Sequence, residues 1–440
     1  MSAPTRPSPP SPPSLTRRGV LGLAGAAALP LLAGCGAGAP KDETSAADTE
    51  NGKSGGTFTV YWNAGHVYET YNKVIADFEK AHGLEVQLQK FQWPDMRTRL
   101  LADFASGNVP DVVEEPGGWV QEFAVTGDAR SLQEYVDKDG EAMGFPSDWQ
   151  DNTIERNSYE NEVYGIQLHL TCMLLFYNKG MFDAEGLSAP KTWDDVLTAA
   201  KALTKGKVHG IALNQDSGYA WPWLAQNGVR SYDPTSKEIL TPRDAAIEAL
   251  QFQADLVHEH KVSPVPTPGT TYSGPQKLFS AKRAAMIVTG PWDLQPIAQT
   301  SPDIELGLAG PLRGKVEATS QAGTSVFVPA KAKRPDLSWD FIKRITTLEV
   351  ELAATKEAGM LMPRKSWAQN PAVQNDEMTK PFADAFAVAL DTTQDLRLTG
   401  KSGEVGEHFK TMYQSIVMQN KPAAEAVQAY VEAARKVLTG

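Results

Sequence analysis

Residues 57–115 read TFTVYWNAGHVYETYNKVIADFEKAHGLEVQLQKFQWPDMRTRLLADFASGNVPDVVEE. TFTVYW (57–62) alternates and is rich in β-formers, so it reads as a strand. Val67, Tyr71, Val74, Ile75 and Phe78 then recur at helical spacing up to Gly83, which supplies a stop. LEVQLQKF (84–91) alternates again. Pro94 opens a second helical run that ends at Gly107, and DVVEE (111–115) is a short strand. Strand, helix, strand, helix, strand is the pattern of a parallel sheet covered by helices.

The rest of the chain extends this pattern. VYGIQLHLTCMLLFY (163–177) reads as a long extended segment passing between domains. Thr192 and Asp195 form a capping box before a helix. HGIAL (209–213), KRAAMIV (282–288) and GTSVFVPA (323–330) read as strands, and 242–260 as a long helix. From Pro335 onward helical patterns dominate, over 335–359, 378–390 and 422–438.

The N-terminus has a different character. Arg17 and Arg18 precede an apolar run with no charge before Lys41, and the run is shorter than the ~20 residues of a membrane-spanning helix. A basic start, a short apolar stretch and small residues describe an export signal, and the paired arginines resemble the twin-arginine type. Leu32-Ala33-Gly34-Cys35 resembles the lipobox of bacterial lipoproteins, in which the cysteine becomes the lipidated N-terminus. Residues 36–56 are small and polar, which suits a flexible tether. Cys172, in an apolar run, is then left without a disulfide partner and is expected to pack as a small hydrophobe.

The formal net charge is −11, and loss of Arg6, Arg17 and Arg18 with the leader makes it −14. An acidic body repels phosphate backbones, so nucleic acid is excluded as a partner class. His258 and His260 flank Glu259 at i, i+2, which does not share a helix face, so no metal site is expected there. No nucleophile-elbow, H-E-x-x-H, phosphate-loop or C-x-x-C motif occurs, and no cofactor is expected.

Five segments in this order, 105–113, 164–187, 190–204, 278–294 and 338–364, resemble the extracellular solute-binding proteins of ABC importers, sugar-binding branch. The resemblance implies an α/β periplasmic-binding-protein-like fold (type II-like): two lobes, each a mixed sheet flanked by helices, joined by hinge strands. The expected division is residues 1–34 as signal peptide and 35–56 as lipidated Cys35 and tether. Residues 57–168 form the N-terminal lobe, with the chain returning to it around 284–335. Residues 169–283 and 336–440 form the C-terminal lobe. The expected setting is the outer face of a Gram-positive cell membrane, as a monomer that docks on permease subunits.

In open α/β sheets ligands bind beyond the carboxyl ends of strands. The residues there are Trp62, Asn63 and His66, then Glu114 and Glu115, then His169 in the crossing segment. Asp216, Tyr219, Trp221 and Trp223 follow HGIAL, Trp292 and Asp293 follow KRAAMIV, Gly323 and Thr324 open the next strand, and Arg364 follows GMLMP. Indole faces bury the C–H faces of a pyranose, and planar polar groups pair its hydroxyls. This set points to a mono- or oligosaccharide ligand. Glu114 and Glu115 are neighbours on a strand, so one of them faces the cleft. Two alternatives stay open. One is a secreted carbohydrate-active enzyme using Glu114 or Glu115 with Asp216. The other is the same fold binding a peptide or metal chelate. The tryptophans and the absence of a basic cluster at the strand ends argue against small anions.

Overall fold

The computed structural model describes residues 56–267 and 273–440. The leader, Cys35 and the tether up to residue 55 lie outside the described residues. β1 (Thr57–Asn63) runs parallel to both β2 (Glu85–Phe91) and β3 (Val112–Glu115), as the alternating sequence requires. The crossovers are α1 (Glu69–His82) and α2 (Trp93–Ser106). The apolar residues of the strands and of α1, among them Phe58, Val60 and Phe78, are buried together.

The extended segment is two strands in two different sheets. β4 (Gly165–Cys172) and β5 (Leu174–Asn178) are separated only by Met173. The chain then builds α3 (Trp193–Leu203), which starts on the expected Thr192–Asp195 capping box, and α4 (Arg243–His258). β6 (Met286–Thr289) and β7 (Leu306–Ala309) pair antiparallel with the two edges of β5. β8 (Thr319–Phe327) returns to the first sheet, antiparallel to both β3 and β4. After α5 (Pro335–Ile345), α6 (Leu348–Ala358) and the short β9 (Ala389–Leu390) come α7 (Ser402–Val417) and α8 (Ala423–Thr439). The first sheet has the order β9-β8-β3-β1-β2, with β4 on β8, and the second has the order β6-β5-β7. The molecule therefore has two α/β lobes, one on each sheet.

Strand pairing corrects the expected division of the chain. The segment 284–309 does not return to the first lobe, because β6 and β7 hydrogen-bond to β5. The return begins at Thr319. Nor do residues 336–358 join the second lobe. Phe341 of α5 packs on Phe58 and Phe78, with ring centroids 5.8 and 5.4 Å apart, and Arg334 pairs with Asp111 at 2.8 Å. Of the C-terminal segment, the helices α7 and α8 pack on α4 in the second core. Apolar periodicity marks AAMIV as a strand and SWDFIKRI as a helix, but it carries no information on which sheet they cover. The expected strand HGIAL makes only single bridges, His209 with Ala284 and Ala212 with Ile287. The expected helix 335–359 is broken at Thr347, whose Oγ1 accepts the Val350 N–H at 3.3 Å and so starts a new helix. Cys172 is fully buried, and burial pushes its thiol pKa up.

The second core is centred on Trp193. Its ring stacks on Phe252 at 4.8 Å and 19°, and its Nε1 donates to Gln226 Oε1 at 2.6 Å. Trp193→Ala removes this contact and orphans the Gln226 side chain. It is expected to cost about 3–5 kcal/mol in chemical denaturation, and a loss under 1 kcal/mol would contradict this packing role.

Candidate functional site

The carboxyl ends of β1, β2 and β3 deliver Asn63 and His66, Trp93, and Pro116 to one wall of a cavity of about 260 Å³. The second lobe supplies the facing wall: Asp216, Gly218 and Tyr219 from a short helical turn, and Trp292 from the turn after β6. The floor is the joint between the lobes, with Thr171 and Met173 from one crossing strand and Ala322, Gly323 and Thr324 from the other. Met360 closes one side. Ligand pockets run to about 300–1,000 Å³, so this one is small.

A buried polar network holds the first wall. Glu114 is fully buried; its Oε2 accepts the Asn63 N–H at 2.8 Å and its Oε1 meets His66 Nδ1 at 2.5 Å. Behind them His169 is held at both nitrogens, Nε2 by the Tyr71 hydroxyl at 2.6 Å and Nδ1 by Thr324 Oγ1 at 2.8 Å. Burial, reinforced by His66, keeps the His169 pKa well below the usual range, so the ring is neutral and its two bonds have opposite polarity. Gly323 sits at φ +135°, where a Cβ would lie 2.1 Å from the His169 carbonyl oxygen. Only glycine lets β4 and β8 approach this closely while the ladder slips register between Thr324 and Ser325.

The second wall is aromatic. Trp292 lies over Gly290, where a Cβ would meet the indole at 2.3 Å. Its Nε1 donates to the Tyr219 hydroxyl at 3.2 Å, and the two rings cross at 86°. Asp293, the next residue, is buried and accepts from Thr289 Oγ1 at 2.6 Å. Trp93 stands in the opposite wall, edge-on to His66 and to Trp119, with ring centroids 5.9 and 6.2 Å away.

Of the residues singled out from sequence, the structure brings Asn63, His66, Asp216, Tyr219, Trp292, Gly323 and Thr324 to the cavity wall. Glu114, His169 and Asp293 stand directly behind it, each already bonded to protein. Five others lie elsewhere. Trp62 is a core residue, 1% exposed, packed edge-on to Tyr71. Trp223 is enclosed by Trp193 and Phe252, and Trp221 is stacked on Phe409 of α7 at 4.7 Å. Glu115 points away from Glu114, as strand alternation requires, and caps the helix Trp119–Thr126 by accepting the Gly118 and Trp119 N–H groups at 2.7 Å. Arg364 is a packing residue, 3.8 Å over the Trp149 ring and bonded to the Met143 and Thr346 carbonyls.

Trp93 was absent from the sequence-based set, although it follows β2 and the strand-end rule reaches it. The floor residues Thr171 and Ala322 carry no such mark. A larger groove, about 840 Å³, lies between residues 294–306, 352–359 and 372–379. Its walls are mainly aliphatic, with Leu294, Ile297, Leu352 and Val373, and contain no aromatic ring. Among the described residues, His66, Glu114 and His169 are the set whose ligand atoms could meet one metal ion, all within 4.8 Å. Each of those atoms already has a protein partner.

Burial raises the Asp293 carboxyl from 3.8 to about 6, and the Thr289 bond only partly offsets this. The folded state therefore holds a proton that the unfolded chain has released between about pH 4 and 6, and stability falls as pH rises through that window. Asp293→Asn keeps an acceptor for Thr289 and removes the penalty. The variant is expected to gain on the parent by about 3 kcal/mol between pH 4 and pH 7. A difference in unfolding free energy that does not change with pH would contradict it.

The model of the bacterial extracellular solute-binding proteins matches residues 62–352. A galactooligosaccharide-binding protein of Bacillus subtilis is 24% identical over 374 residues, covering 80% of this chain and 82% of its own. A maltooligosaccharide ABC transporter solute-binding lipoprotein of Streptococcus pneumoniae is 26% identical over 427 residues, covering 92% and 93%. An ABC transporter solute-binding protein of Thermotoga lettingae, solved with α-D-tagatose, shares the fold. It superposes with a TM-score of 0.78 at 24% identity, over 87% of this chain and 99% of that one. With two lobes and a cleft at their strand ends, the chain belongs to the bacterial extracellular solute-binding protein family.

Proposed function

We propose that the protein captures a saccharide in the cleft between its lobes and delivers it, chemically unchanged, to an ABC importer. The observation that carries this reading is the placement of aromatic faces in both walls, Trp93 in one and Tyr219 and Trp292 in the other, around a rim of Asn63, His66, Asp216, Thr171 and Thr324. Apolar ring faces and a polar edge match a pyranose on both counts. The small volume suits one or two sugar units. The names of the relatives above, which bind oligosaccharides, support the same class.

Carriage is favoured over hydrolysis by the carboxylates. A glycosidase flanks the scissile bond with two of them. Among the described residues the cavity wall carries one, Asp216, while Glu114 is spent on His66 and Asn63. Met173 and the crossing into Thr319 are the hinge of the reading: the sugar docks on one wall and rotation of the lobes completes the other. The closed form is what the permease recognises. The export signal of residues 1–34, lipidation of Cys35 and the tether through residue 56 then hold the monomer at the outer face of the membrane. Two or more acyl chains make such anchoring stable.

A thermal-shift screen over mono- and oligosaccharides tests the reading. Ligand at a hundred times its dissociation constant stabilises by about 2.7 kcal/mol. Hits confined to peptides or chelates, or steady release of new reducing ends from an oligosaccharide, would overturn it. For the sugar found, Trp292→Ala is expected to weaken binding at least tenfold by calorimetry while leaving the melting temperature of the free protein within about 2 °C, roughly 1.5 kcal/mol at this size. Undiminished binding would remove Trp292 from the site.

A further inference from the structure

The cleft has a charge as well as a shape. None of its wall residues is a lysine or an arginine. The buried guanidinium of Arg156 lies behind Gly117 and is matched by Asp391 and Glu115, as is Arg397. His66 is engaged with Glu114. What remains exposed to a ligand is Asp216. Its Oδ1 accepts the Gly218 N–H at 2.8 Å, and its other carboxylate oxygen takes no protein donor among the described residues. Tyr219 and Trp292 lie beside it, their rings crossed at 86° with centroids 6.4 Å apart. The next residue, Asp293, buries its carboxyl behind the wall.

A carboxylate that shares a wall with two aromatic rings, in a crevice lined by no lysine or arginine, attracts a positive group by ion pairing, and the rings add cation–π attraction. It repels a carboxylate or phosphate for the same reason. A neutral hydroxyl gains only one hydrogen bond there.

We propose that the cleft selects a basic sugar, one whose protonated amine sits at Asp216 against Trp292 and Tyr219. This rests on the carbohydrate reading above and adds a ranking to it: amino sugar over neutral sugar, and neutral sugar over uronate. A free amine is required, since N-acetylation removes the charge while keeping the bulk.

Calorimetry at pH 7 on matched triplets tests the ranking. The probes are glucose, galactose and mannose, each beside its 2-amino-2-deoxy form and its uronate. In the configuration that binds, the amine is expected to bind at least fivefold tighter than the neutral sugar and the uronate at least tenfold weaker. Rising salt should narrow the amine's advantage. Asp216→Asn should bring the ratio of amine to neutral affinity to about one, a ratio that a folding defect would not move. The wild-type triplets stand alone if the variant does not fold. Equal affinities across a triplet, or tighter uronate binding, would overturn the inference and leave the carbohydrate reading standing. Retention of the ratio in Asp216→Asn would overturn the placement of the amine. If none of these binds and the thermal-shift screen finds no oligosaccharide either, both readings fall.

Discussion

The structure depends on one joint, the point where a single extended stretch leaves one sheet and enters the other. β4 and β5 are continuous apart from Met173, and their ladders belong to different lobes. Beside them β8 runs antiparallel to β4, and Thr319 Oγ1 donates to the Met173 carbonyl at 2.5 Å. The chain thus passes between the lobes at two neighbouring points, where β4 runs into β5 and where β8 returns, and the β4–β8 backbone ladder holds these two crossings side by side. The cleft follows from this arrangement. The lobes cannot separate at the joint, so the gap between them opens on the side where the strand ends of the first sheet meet the turns after Leu213 and Thr289.

The chemistry of the cleft is held in place from behind. Glu114, His169, Tyr71 and Thr324 are buried, and their hydrogen bonds fix His66 and Asn63 before any ligand arrives. Breaking one member would leave a buried donor or acceptor unpaired, at about 1–3 kcal/mol. A wall organised this way spends little ordering energy on binding. The second wall is organised differently, by a ring lying over Gly290 and leaning on Tyr219. A rigid polar face opposite a flat aromatic one suits a ligand whose own faces and edges differ.

Much of this was legible in the chain. Thr57 to Glu115 fixes a parallel core because its apolar period switches from two to 3.6 and back, and Thr192 with Asp195 marks a helix start that the structure reproduces. What was not legible is partnership. KRAAMIV is a strand in either lobe, and only its pairing with β5 assigns it. The tryptophans show the same limit. Trp62, on β1, is one residue from the cavity wall at Asn63 yet faces the core, because a strand sends neighbours to opposite faces. Trp221 and Trp223 follow a strand-like segment that is not a strand, so the strand-end rule places them in error. Trp93 follows a true strand and was passed over. The rule is sound where the strand is real.

The most direct measurement is a crystal structure grown with the saccharide that gives the largest thermal shift. This account predicts a pyranose ring lying against Trp292 or Trp93, with a hydroxyl at His66 and a polar substituent of the sugar, amine or hydroxyl, at Asp216. Sugar density in the aliphatic groove near Leu294 and Val373, with the space between Trp93 and Trp292 closed by protein, would contradict it.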